Sequence, residues 1–147
     1  MTAYNEGVIV DLVSRIYNIL IHFGLFDEHE IMWPPPQGQT LDLSGLRDQS
    51  RIDQRVVSLM SRLPIPIPGA DYTPVAMRMR AVRYVDAGQL ALSRDIDKLS
   101  LYRPPTEESY LDMRNALPTE LMLLQGEQSD DPCLILDIAD SKTRSYH

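Results

Sequence analysis

Apolar positions in the first quarter of the chain recur at helical spacing. Val8, Leu12, Ile16, Ile19, Leu20 and Phe23 fall three or four apart along "EGVIVDLVSRIYNILIHFG", which predicts a long helix with that face buried. Ile9, Val10, Val13 and Ile21 lie off the line and widen the stripe, so the helix is expected to be covered on more than one side. Gly24 can take positive φ cheaply and reads as its C-terminal stop. Asp27 can cap a short turn that Pro34 must end. The "PPPQG" run then makes a stiff, exposed connection, and "LDLSGL" alternates too briefly to assign. Val56, Leu59, Met60 and Leu63 predict a second amphipathic helix over Ile52–Leu63, closed by "LPIPIPG", whose prolines forbid further helix.

Beyond this point the period changes to two. In "VAMRMRAVRYVD" Met77, Met79 and Ala81 alternate with Arg78, Arg80 and Val82, which predicts a half-buried strand over Met77–Val85 with a basic outer face. "AGQLALSRDIDKLS" can hold a short helix and "YRPPTEES" reads as a loop. "LMLLQ" (Leu121 to Gln125) predicts a buried strand, ended by Gly126 and the turn-rich "EQSDD". The closing "DPCLILDIADSKTRSYH" reads as a hairpin. Leu134, Leu136 and Ile138 form its inward set with Ile135 opposite, "ADSKT" is the turn, and Arg144 with Tyr146 lies on the return strand. The expected fold class is α+β, with N-terminal helices packed on a small, mainly antiparallel sheet that ends in a C-terminal hairpin.

Length and composition agree with this pattern. A chain of 147 residues fits one domain, 1–147, and a domain of that size buries roughly 70% of the surface its unfolded chain exposes. One cysteine, Cys133, cannot form an internal disulfide, so the fold does not depend on an oxidising compartment. Glu6, Asp11 and Arg15 interrupt the first apolar stretch, and neither the basic start nor the small-residue cleavage site of a signal peptide is there. A soluble cytoplasmic protein without a membrane partner is expected.

The net charge of −7 argues against nucleic acid, which needs a clustered basic face. The charge is unevenly spread, however. Residues 47–103 hold ten bases against six acids, while the flanking segments are acidic. That basic middle is either a solvated, internally paired surface or a patch for an acidic partner.

Candidate chemistry is sparse. His22 and His29 are separated by Gly24, and "DEHE" surrounds His29 with carboxylates. Asp27, Glu28, His29 and Glu30 could be drawn as a metal or acid–base cluster, although a solvated, acid-capped turn accounts for them. The Asp residues of "SDD", with Asp137 and Asp140, match no calcium-loop spacing and read as turn formers. Cys133 opens a buried strand and reads as packing. With no phosphate loop, nucleophile elbow or paired CxxC, no catalytic, cofactor-binding or metal-binding residue is expected, and the chain does not read as an enzyme. Trp33, before three prolines, is either a partner anchor or an indole folded back on the helices. "LPIPIPG" is either a polyproline ligand or a rigid connection.

The helical first half, followed by "VRYVDAGQLALSRD" and "PTELMLLQGEQSDDPCLILDIADSKTRSYH", resembles the SUKH superfamily of fungal cell-wall regulators and bacterial immunity proteins. It looks closest to small fungal members. In that family a loop leads to a Leu-x-Leu-Asp type of strand, a turn, and an aromatic strand ending in or near His. Leu134 to Asp137 and Ser145 to His147 occupy those places here. "QSDDP" stands where the family has a glycine-rich acidic loop, and the return strand lacks the tryptophan common there. The likeness is ordered over the last third and follows only the layout of the first half. It implies a non-enzymatic α+β protein that binds other proteins.

The expected function is therefore a protein-interaction or regulatory module with a protein partner, possessing an acidic surface, that meets Trp33, Arg78, Arg80 and Arg83. The alternative is a small enzyme or small-molecule-binding accessory protein of a biosynthetic pathway, with its pocket between sheet and helices. A deep pocket lined by His and carboxylates would favour that alternative; a shallow, charge-segregated surface would favour the interaction module.

Overall fold

A computed structural model describes residues 3–46, 49–76, 78–94, 117–127, 131–139 and 142–146. Helix α1, Glu6–His22, opens where the Asn5 side chain accepts from the Val8 backbone N–H at 3.2 Å. It closes in a Schellman turn: Gly24, at φ 76°, donates to the Ile21 carbonyl, and the Leu25 N–H reaches the Leu20 carbonyl at 2.9 Å. A 3₁₀ turn at Glu28–Glu30 follows, with Asp27 at its N-cap and its N–H donating to Glu30 Oε2 at 2.8 Å. Strand β1, Ile31–Met32, pairs antiparallel with β2, Ile65–Pro66. Helix α2, Gln54–Arg62, lies between them in sequence and starts where Asp53 Oδ1 accepts from the Arg55 N–H at 2.8 Å.

The larger sheet is four-stranded, antiparallel, in the order β3-β4-β5-β6. Its strands are β3 Met79–Ala81, β4 Glu120–Gly126, β5 Cys133–Asp137 and β6 Lys142–Tyr146. Helix α3, Ala87–Arg94, packs beside β4. The expected C-terminal hairpin is β5–β6, in continuous register from Cys133↔Tyr146 to Asp137↔Lys142. The fold class is thus the α+β arrangement expected from the sequence. The "YRPPTEES" loop, Met77, most of the "SDD" turn and His147 lie outside the described residues.

Two apolar clusters hold these elements together. The larger joins Val56, Leu59 and Met60 of α2, Tyr84, Leu90 of α3, and the sheet residues Leu121, Cys133 and Leu136. The smaller gathers Tyr17, Phe26, Ile31, Ala70 and Ala81, with Tyr17 and Phe26 meeting edge to face at 5.9 Å. Val13 packs against both clusters.

Three expectations need correction. The face of α1 assigned to the core is largely the wrong one. Tyr17 is buried and Val13, Leu20 and Ile21 are half-buried, whereas Val8, Leu12, Ile16, Ile19 and Phe23 face solvent. A helix apolar on two sides has no single stripe for periodicity to select. The Met77–Val85 strand shortens to Met79–Ala81, because Ala76 and Met79 pair across a tight turn with Arg78 at φ 63°. The chain reverses there instead of extending. Burial along β5 does not alternate: Ile135 is as buried as Leu136, and Leu134 only half so. A strand flanked by β4 and β6 and covered on both faces buries both sides of its pleat.

Candidate functional site

The edge strand β3 gathers the exposed chemistry. Tyr72 ends a 3₁₀ turn, Ala70–Tyr72, and is 69% exposed. The Arg80 guanidinium lies over its ring, 5.2 Å from the centroid, in cation–π geometry. Arg80 is half-buried, and its Nε is enclosed without an acceptor. Among the described residues Arg80 has no carboxylate partner. Such an enclosed donor, left unmet, costs about 1–3 kcal/mol.

Arg78 stands beside this pair in the left-handed turn. Its carbonyl accepts from the Glu127 N–H at 3.0 Å, and its Nη1 lies 3.5 Å from Asp131 Oδ1. Asp131 can come this close only because residue 126 is glycine: a Cβ there would meet Asp131 at 2.8 Å. The strongly exposed Arg78 head gains little stability from that pair.

The other two expected contact residues are placed elsewhere. Arg83 is buried and does not belong to an outer basic face. Its Nε donates to the Pro66 carbonyl at 3.0 Å, and its Nη1 sits 3.9 Å from Asp86, so it ties β2 to the start of α3. Gln89 completes that junction by accepting from the Arg83 N–H and donating to the buried Asp71 carboxylate. Trp33 follows β1 and is 40% exposed, neither free nor folded into the core. Leu63 to Pro66 are buried, which removes them as a polyproline ligand and leaves "LPIPIPG" as the rigid connection.

The histidines do not converge. His22 and His29 are both exposed, and His22 packs edge to face on Phe23 at 5.6 Å. Among the described residues no three metal-ligating side chains cluster. Cys133 is buried, and burial pushes its thiol up to about 11, which keeps it protonated and unreactive at neutral pH.

A cavity of about 70 Å³ does lie between α1 and the sheet, lined by Val13, Tyr17, Leu63, Val82, Tyr84 and Leu124 among others. Among the described residues its lining holds no histidine or carboxylate. Burial raises the phenols of Tyr17 and Tyr84 above their ordinary range, and the Tyr84 hydroxyl already donates to the Met122 carbonyl at 2.6 Å. Its size suits an aliphatic side chain better than a metabolite.

One buried cation is structural. Arg94, the last residue of α3, donates to the carbonyls of Leu117 and Glu120, and burial lowers it to about 10, still charged at neutral pH. It fastens the start of β4. The Tyr72–Arg80 contact and the Gly126–Asp131 approach are each made across a chain reversal and at neither a helical nor a strand period, so no local spacing announces them. Among the described residues no helix is long and apolar enough to cross a membrane. Comparison with family models, with curated proteins and with solved structures finds no match to this chain.

Proposed function

We propose that this chain is a non-enzymatic protein-interaction or regulatory module of SUKH-like type, and that it meets an acidic partner at the β3 edge through Arg80, Tyr72 and Arg78. The observation that carries the reading is Arg80. Its guanidinium is stacked on an exposed tyrosine and has no carboxylate partner among the described residues. A carboxylate supplied from outside meets the Nη groups of that guanidinium, the enclosed Nε being out of its reach, and the tyrosine holds the head in place for it. Arg and Tyr are also the residue types that dominate interface energetics. Arg83 takes no part, because its guanidinium is already spent inside the fold.

Affinity capture from native lysate tests the proposal, using the wild-type chain and the Arg80→Glu and Tyr72→Ala variants, each first matched to the wild type in melting temperature. An acidic protein held by the wild type, released at high salt and lost from both variants, is expected. Capture of the same proteins by all three chains overturns the proposal.

A further inference from the structure

We infer that α1 is a self-association helix, and that two copies of this chain pair antiparallel along its outer face. The motive is an apolar seam on the wrong side of the helix for the core. Val8, Leu12, Ile16, Ile19 and Phe23 are 51%, 52%, 47%, 54% and 75% exposed. From Leu12 onward their spacing is four, three, four, the seam of one helix packing lengthwise on another.

The seam also carries a socket. Arg15, Asn18, Ile19 and His22, with Phe23 beside them, line a shallow depression in the surface. Those first four positions are spaced i, i+3, i+4, i+7, which is how four residues bound one hole in knobs-into-holes packing. The knob it needs is an aliphatic side chain from a facing helix, and Leu12 of a second copy is of that kind.

Charge selects the orientation. Along the polar flank of the seam, exposed Asp11 lies toward the N-terminal end and exposed Arg15 and His22 toward the C-terminal end. Reversing one copy sets Leu12 into the hole of the other and brings Asp11 alongside His22, twice over by symmetry. In a parallel two-fold pair the polar flank of each copy faces the opposite flank of the other, so Asp11 meets no base. Antiparallel pairing brings like flanks together and gives each Asp11 a base across the seam, while the two exposed Arg15 side chains come near each other at the two-fold axis, where solvent and salt screen them.

The area is sufficient. The five seam residues present roughly 500 Å² of exposed surface per copy, so a two-fold pair covers at most about 1,000 Å² before the polar flank is added, which is the lower bound for a specific interface. Each copy carries a net charge of −7, so the pair tightens as salt rises. That is opposite to the salt response of the Arg80 surface, and the two proposals fail independently.

Sedimentation velocity of the full chain at about 100 μM is expected to give a dimer. Ile19→Glu, at an exposed position, is expected to keep the wild-type melting temperature and weaken dimerisation ~100-fold, with Leu12→Glu doing the same. Arg15→Cys, near the two-fold axis, is expected to cross-link two copies. Val8→Cys and Phe23→Cys are expected to cross-link only when mixed, and the buried Cys133 does not compete. A wild-type monomer at that concentration, a dimer that survives Ile19→Glu, or Val8→Cys cross-linking with itself overturns the inference.

Discussion

Arg78 holds its backbone at φ 63°, a conformation that side chains bearing a Cβ enter at a cost of roughly 1–2 kcal/mol. Its exposed pairing with Asp131 returns less than that. The turn geometry, not the ion pair, decides what position 78 tolerates. Arg78→Gly is therefore expected to leave urea stability within ~0.5 kcal/mol of the wild type, while Arg78→Val is expected to lower it by ~1–2 kcal/mol. Equal effects of the two would reject a left-handed turn. The sequence hides this reversal, because "MR" lacks the Asn-Gly or Asp-Gly signal of a tight hairpin and its alternation continues smoothly on both sides. Arg83 was grouped with Arg78 and Arg80 by charge alone, although its odd position shares the parity of Met79 and Ala81; the chain delivers it inward to the Pro66 carbonyl.

At the level of single elements, α2 was the most legible. Its apolar positions lie on one side only, and Val56, Leu59, Met60 and Leu63 are all buried as the spacing predicts. Its start is set by Asp53, which accepts from the Arg55 backbone N–H and, through both oxygens, from the Arg55 guanidinium. Those hydrogen bonds hold the Asp53 carboxyl below its ordinary range, the side-chain ones most. A carboxyl depressed on folding stabilises above its unfolded pKa of about 3.9 and loses that contribution as pH falls through the lower folded value. Asp53→Ala is expected to cost ~1 kcal/mol at pH 7, with the gap to wild type narrowing as pH falls below the unfolded carboxyl value of about 3.9. A gap unchanged by acid would place the effect elsewhere than in the charged cap. Helix α1 was legible as a helix and not as a face. Its Gly24 stop was readable from one residue, yet Tyr17 was outvoted by the more numerous aliphatics on the solvent side.

Over the whole molecule, the α+β class and the closing hairpin followed from local period and turn chemistry. The junctions that assemble them did not. Arg94 reaching the carbonyls of Leu117 and Glu120, Gln89 bridging Arg83 to Asp71, and Tyr84 donating to Met122 each join elements whose order in space no period encodes. Polar atoms of this kind are satisfied only after the layers meet. The chain's single sulfhydryl sits inside that assembly, at the head of β5 and opposite Tyr146 in the ladder. A thiol so enclosed, and held protonated by burial, is silent to an alkylating reagent until the sheet parts around it. Cys133 is thus a native clock for the opening of the fold. Mass-spectrometric labelling without denaturant is expected to run orders of magnitude slower than in urea, and the ratio of the two rates reads the opening equilibrium directly. Labelling as fast in the folded chain as in urea would show that β5 is not enclosed.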